Sequence, residues 1–183
     1  MQTVHENTVA RIRPYEDDDV AKLFEAATES SAEMHPWLPW CHPAYSIEDS
    51  AGWVAGQADI WLSGSEFNFV IEDPRTGRFL GGVGLNNIQR EHQMASLGYW
   101  VRTSAIRRGV ATAATLLCAR FGFEQAGLTR VEIFMAVGNR ASERVAIKCG
   151  ARREGLLRNR IVLHGETVDA HLFSLVPGDL SGL

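Results

Sequence analysis

Between Leu97 and Thr112 the chain reads LGYWVRTSAIRRGVAT, an apolar strand that passes through a short basic connection into a helical stretch. The first N–H groups of a helix have no partner within it, so a strand-to-helix junction of this kind can donate to a phosphate. Gly109 would let an anion approach the main chain, and Arg107 and Arg108 would add charge-assisted bonds. The same Arg-Arg-Gly also fits an ordinary solvated helix start. Further along, Asn139 opens a second helical run that contains Ser142, stops at Gly150 and leads to Glu154-Gly155. Asn139 suits an N-cap, Ser142 a polar first-turn residue, Gly150 a helix stop and Glu154-Gly155 a bulge or turn. Arg144 and Lys148 could face a nucleotide phosphate or form an exposed charged face.

A third group lies in Met34–Tyr45, MHPWLPWCHPAY. His35 and His42 could orient a substrate or relay a proton, or could sit on the surface. Trp37, Trp40 and Trp53 could wall a substrate, or could pack the early helices. Other catalytic patterns are missing: the sequence holds no G-x-S-x-G elbow, no HExxH and no Cys-x-x-Cys spacing. Cys41, Cys118 and Cys149 cannot close a disulfide framework among themselves, so a reduced, cytoplasmic chain without a metal is the expectation.

These residues need a scaffold. Thr8–Pro14 alternates as a short strand, Asp17–Met34 has helical spacing behind an acidic first turn, and the prolines of 34–45 impose a structured loop. Ser46–Ser63 reads as one helix capped by Ser46 or Asp49. Phe67–Ile71 and Phe79–Ile88 flank a turn at Pro74–Gly77, and Met94–Val101 extends them to a three-stranded meander. Gly109–Ala126 is a helix, Val131–Val137 a strand and Arg140–Cys149 a helix. Arg152–Leu163 and Glu166–Val176 close a hairpin about His164 and Gly165. The order predicts an α+β domain covering residues 1–183.

Composition agrees with a soluble globular protein: 183 residues, 45% hydrophobic and 22% charged. No run approaches the roughly 20 apolar residues that cross a bilayer, and the start of the chain lacks the apolar run of a signal peptide. The net charge of −4 hides a split. Residues 1–73 carry 3 Lys/Arg against 14 Asp/Glu, a net of −11, and residues 74–183 carry 15 against 8, a net of +7. That polarity argues against a nucleic-acid partner and allows a local basic site for an anionic ligand. It predicts an acidic lobe facing an acceptor and a basic lobe facing the anion.

With Leu38-Pro-Trp40, Ile47-Glu-Asp49, Gly98-Tyr-Trp100, the Gly109 loop and Asn139 to Gly150 followed by Glu154-Gly155, the chain resembles the GNAT acyltransferase superfamily along nearly its whole length. Within it, the likeness is to RimL/RimJ-like N-acetyltransferases. The resemblance implies a mixed, mostly antiparallel sheet of about seven strands, splayed at its central pair and flanked by four helices, with acetyl-CoA as cosubstrate in the gap. Pantetheine would lie along Trp100, Val101 and Arg102, and its pyrophosphate on the N–H groups of Arg107, Arg108, Gly109, Val110, Ala111 and Thr112. Asn139 would bind the pantetheine arm, Ser142 matches the proton donor to the CoA sulfur, and relatives suggest a homodimer. Three positions depart from the family pattern: Ile106 replaces a Gln or Arg of the phosphate loop, and Ser96 and Ile161 stand where acids are expected.

Acetyl transfer from a thioester needs a neutral amine, donors for the developing oxyanion and a proton for the thiolate. An α-amine with a pKa near 8 is about one-tenth neutral at pH 7, whereas a lysine amine near 10.4 is neutral in under about one part in a thousand. A chain without an assignable base therefore suits a protein or peptide N-terminus, with the oxyanion met by a backbone N–H near Trp100. Trp37, Trp40 and His42 are the candidate acceptor contacts. Two alternatives stand beside this reading: a small-molecule amine acetyltransferase, and a CoA-binding regulatory module without catalysis.

Overall fold

A computed structural model describes residues 4–180, so the ends of the expected 1–183 domain lie outside the described residues. The strands are β1 (His5–Glu6), β2 (Arg11–Pro14), β3 (Phe67–Glu72), β4 (Phe79–Gln89), β5 (Met94–Val101), β6 (Arg130–Ala136), β7 (Arg152–Leu163) and β8 (Glu166–Leu175). They form one sheet in the order β1-β2-β3-β4-β5-β6-β8-β7, antiparallel at every junction except β5 with β6. The helices are α1 (Asp19–Met34), α2 (Ile47–Ala55), α3 (Gln57–Ser63), α4 (Val110–Glu124) and α5 (Arg140–Lys148).

Two expectations about elements are corrected. The first strand is shorter than Thr8–Pro14 because the Asn7 side chain accepts the N–H groups of Val9 and Ala10, at 2.8 and 2.9 Å. This folds a side-chain-closed turn between β1 and β2. The helix expected over 46–63 is two helices, making five among the described residues where four were expected. Its start is fixed by a capping box in which Ser46 and Asp49 bond each other's backbone N–H. Gly56 then serves both as the C-cap of α2 and the N-cap of α3.

β3 is buried along its whole length and β4 over its first seven residues, as strands covered on both faces must be. On one face α4 packs Phe121 edge-on against Phe67 and Phe69, with ring centroids 5.0 and 5.1 Å apart. Gly122 permits this close approach, since a Cβ there would lie 3.1 Å from Leu85 and 3.2 Å from Leu128. On the other face α1 and α2 cover Val70, Phe79 and Trp100 with Leu23, Ala26 and Val54. Beside them Arg13 is sealed between two carboxylates: its guanidinium donates to Asp19 at 2.6 and 2.8 Å and to Glu72.

The sheet opens in its middle. β5 pairs with β6 only through Met94–Arg130, Ala95–Val131 and Ser96–Glu132. Beyond Ser96, β5 remains bonded to β4 and β6 remains bonded to β8. The two central strands diverge, and a wedge-shaped gap is left between Leu97–Val101 and Ile133–Ala136.

Candidate active site

Backbone polarity at the gap follows from one bond. The Arg102 N–H donates to the Leu80 carbonyl on β4 at 2.8 Å. Because successive peptide groups of a strand alternate in direction, the N–H groups of Trp100 and Gly98 also face β4. Those of Tyr99 and Val101 face the gap. An oxyanion donor near Trp100 therefore comes from its neighbours, not from Trp100 itself.

After Val101 the chain turns through Thr103–Ala105 into a loop with two left-handed residues, Arg107 at φ 61° and Gly109 at φ 80°. Ala113 makes the first helical bond, to the Gly109 carbonyl at 2.9 Å. No acceptor among the described residues meets the N–H groups of Arg107, Arg108, Gly109, Val110, Ala111 or Thr112. Arg107 and Arg108 are exposed and make no ion pair within the described chain. Six consecutive donors, the positive end of α4 and two guanidinium groups without an ion-pair partner in the described chain are an arrangement that can receive an anion. Ile106, 46% exposed, adds no polar group to this loop.

Across the gap, Asn139 caps α5 by accepting the Ser142 N–H at 3.1 Å, so its side-chain oxygen is engaged and its NH₂ has no partner among the described residues. The Tyr99 hydroxyl lies 2.9 Å from the Ser142 carbonyl and 3.0 Å from Ser142 Oγ. This bridge between β5 and α5 was not anticipated from sequence, although Gly98-Tyr-Trp100 had drawn attention to the strand. Burial pushes the Tyr99 phenol well above its ordinary value, more than the Ser142 bond lowers it, and it stays protonated. Behind Ser142, Cys149 is buried against the start of α4, its thiol donating to the Thr112 carbonyl, and burial pushes it up to about 12.

Arg102 is positioned differently from its neighbours. Its side chain is 3% exposed and donates to Glu29 and Glu25 of α1 and to the Phe79 carbonyl. Its main chain is engaged as well, the N–H by Leu80 and the carbonyl by the Ala105 N–H at 2.9 Å, so Arg102 brings no free donor to the expected pantetheine site. The acids expected to confront an acceptor are likewise engaged: Asp19 and Glu72 on Arg13, Glu25 and Glu29 on Arg102. The expected acidic acceptor face is thereby corrected, for Asp49 is the one carboxylate lining the cavity described next.

That cavity, of about 490 Å³, lies between α1, α2 and the face of β4 and β5 that these helices cover. Trp40, His42, Tyr45, Trp53 and Trp100 form its walls, and its floor holds Gly82 beneath Trp100 and Tyr15, Gly84 beside Asn68, and the open Gly98. Trp40 meets Trp100 edge-on at 5.6 Å and Tyr45 at 5.7 Å. Trp40 and His42 thus join Trp100, while Trp37 is directed elsewhere, 3.7 Å from the position a Cβ would take at Gly138. His35 contacts the tip of the β7–β8 hairpin, where His164 Nε2 lies 2.9 Å from the His35 carbonyl. No carboxylate base emerges. Ile161 pairs with Val168, Ser96 pairs with Glu132, and Glu154 is held at about 2 by bonds from Arg130 and Ser174. No cluster among the described residues could hold a metal ion, and no described helix is long and apolar enough to cross a membrane.

Residues 10–152 match the family described as "Acetyltransferase (GNAT) domain". YdaF of Bacillus subtilis, provisionally named a ribosomal N-acetyltransferase, is 28% identical over 187 residues, covering 100% of this chain and 99% of its own. The ribosomal-protein-serine acetyltransferase of Escherichia coli is 22% identical over 175 residues, covering 96% and 97%. RimJ of Mycobacterium smegmatis, solved with a CoA disulfide, superposes with a TM-score of 0.89 at 26% identity, over 98% of this chain and 89% of that one. The open central pair, the donor-rich turn behind it and these likenesses agree, and the chain is a member of the GNAT acetyltransferase family.

Proposed function

We propose that this protein is an acetyl-CoA-dependent N-acetyltransferase whose acceptor is the α-amine of a protein or peptide N-terminus, attacked directly with both substrates bound. The observation that carries the reading is the run of unpartnered N–H groups from Arg107 to Thr112, following directly on the strand that lines the gap. The residues fit the cosubstrate: a pyrophosphate needs several converging donors, and a pantetheine arm can bond the gap-facing edge of β5 and the Asn139 NH₂. Acetyl-CoA, when bound, supplies an activated acyl group as a thioester.

The chain does the rest. Arg107 to Thr112 anchor the phosphates, with Arg107 and Arg108 adding charge. The Tyr99 and Val101 N–H groups offer hydrogen bonds to the carbonyl oxygen on which negative charge grows. Ser142 holds a proton for the departing sulfur, and Tyr99 orients that hydroxyl. The aromatic cavity excludes water around the acceptor. An α-amine is partly neutral near pH 7 and needs less help from a base than a lysine, in keeping with a cavity whose single acid, Asp49, is engaged by Ser46.

Titration calorimetry with CoA, followed by a thiol-release assay over peptides and small amines, tests the reading. CoA binding together with peptide turnover supports it. Turnover confined to small amines would replace the acceptor, CoA binding without any turnover would make the chain a regulatory module, and no CoA binding would overturn the reading.

A further inference from the structure

One polar atom on the cavity wall has its direction imposed from behind. Gln57 Nε2 donates to the Trp53 carbonyl at 3.0 Å, which leaves Gln57 Oε1 as an acceptor. Asn68 Nδ2 donates to that Oε1 and to Glu66 Oε2, both at 3.0 Å. Two acceptors can be satisfied only by the NH₂ end of an amide, so the Asn68 oxygen must point the other way. Asn68 is only 7% exposed, yet no donor among the described residues reaches Oδ1. The residue is buried but Oδ1 itself opens onto the cavity, so a molecule held there can supply the donor that the described residues do not.

The floor beneath it is built to receive one. Asn68, Gly84 and Gly98 stand directly opposite one another on β3, β4 and β5. All three line the cavity. A Cβ on Gly84 would lie 2.3 Å from Asn68 Oδ1, whereas a Cβ on Gly98 would meet only Asn86 Nδ2, at 3.8 Å. The row is therefore a bare trough that begins at a fixed acceptor oxygen and runs to the strand bordering the gap. From above Gly84 to β5 is one strand spacing, about 5 Å. That span matches an amine at the gap and an N–H roughly one residue, about 3.6 Å, further along the acceptor.

We propose that Asn68 is a specificity-determining residue: its Oδ1 accepts a hydrogen bond from the amide N–H that follows the reacting amine. The inference rests on the N-acetyltransferase reading above and adds a requirement to it, that the acceptor be an α-amino amide whose nitrogen still carries hydrogen. Esters and tertiary amides of the same amino acid lack that donor. They leave the oxygen unmet.

The experiment compares kcat/KM for an alanine N-methylamide, the N,N-dimethylamide and the methyl ester, in the wild-type protein and in Asn68→Leu. The wild type should favour the secondary amide by about ten-fold over both analogues once their amine basicities are allowed for. In Asn68→Leu that preference should collapse to within about two-fold, mainly through KM, with the KM for acetyl-CoA unchanged. Equal handling of the three acceptors by the wild type, or a preference that survives in Asn68→Leu, overturns the proposal. The wild-type arm decides it even if the variant does not fold. Turnover without discrimination defeats this proposal alone, whereas failure to acetylate any amine defeats the underlying reading and this one with it.

Discussion

The Tyr99 hydroxyl makes two contacts with a single residue, 2.9 Å to the Ser142 carbonyl and 3.0 Å to Ser142 Oγ. A carbonyl can only accept, so when both bonds form the phenol proton goes to it and the serine proton points back at Tyr99. Turning the phenol toward Oγ frees the serine proton for the gap. Tyr99 thereby governs where Ser142 aims, as a positioning residue. Ser142→Ala should lower kcat by about 100-fold with the KM for acetyl-CoA little changed, and Tyr99→Phe by several-fold to about ten-fold. Because the two act as a unit, the double variant should be no slower than Ser142→Ala alone. Strictly multiplicative losses would contradict the coupling.

Arg107 and Arg108 have no ion-pair partner in the described chain and directly precede the left-handed Gly109. Reversing both to glutamate should weaken CoA binding, measured by calorimetry, more at 20 mM than at 300 mM salt. At the lower salt the screening length exceeds about 20 Å, and at the higher it is below about 8 Å. A loss that does not depend on salt would argue that the arginines act by shape.

Arg102 joins β5 to α1 through Glu29, whose carboxyl also accepts the Ser104 N–H at 2.7 Å. The Arg102 bond, chiefly, holds Glu29 at about 2 against an ordinary 4.5. Its folded-state value is the lower one, so its contribution to stability is complete above about pH 4.5 and disappears as pH falls through about 2. Urea midpoints should show Glu29→Gln less stable than wild type at pH 7, with the difference shrinking steadily below pH 4.5. A difference that stays constant to pH 2.5 would contradict the ion pair.

Cys41, Cys118 and Cys149 are all buried, and burial raises each thiol, that of Cys149 to about 12. At pH 8 very little thiolate is present to react. The native protein should therefore show almost no fast reaction with an aromatic disulfide reagent, and all three cysteines should react after denaturation. A fast-reacting Cys149 in the native state would contradict the packing of the end of α5 on α4.

Much of the scaffold was legible because its signals are local. Gly109 and Gly127 bracket α4, Asn139 caps α5, and His164-Gly165 turns the last hairpin. The break at Gly56 was hidden because apolar residues keep helical spacing on both sides of it. Pairings between distant elements were not legible at all. Arg13 meets Glu72 from 59 positions away, and Arg102 meets Glu29 from 73. A charge tally along the chain therefore did not show which carboxylates line the cavity, where Asp49 is the one. The run of unpartnered N–H groups from Arg107 to Thr112 could be anticipated because these donors are consecutive in sequence. The orientation of Asn68 could not, since it is imposed by Gln57 and Glu66 from α3 and the turn before β3.

The central claim is direct transfer of an acetyl group to an α-amine, and mass spectrometry of both partners after incubation with acetyl-CoA and a peptide tests it. The account predicts a single acetyl group on the peptide's N-terminus and none carried by the protein. An unmodified peptide under conditions where CoA binds, or an acetyl group retained on a side chain of the protein as a turnover species, would contradict it.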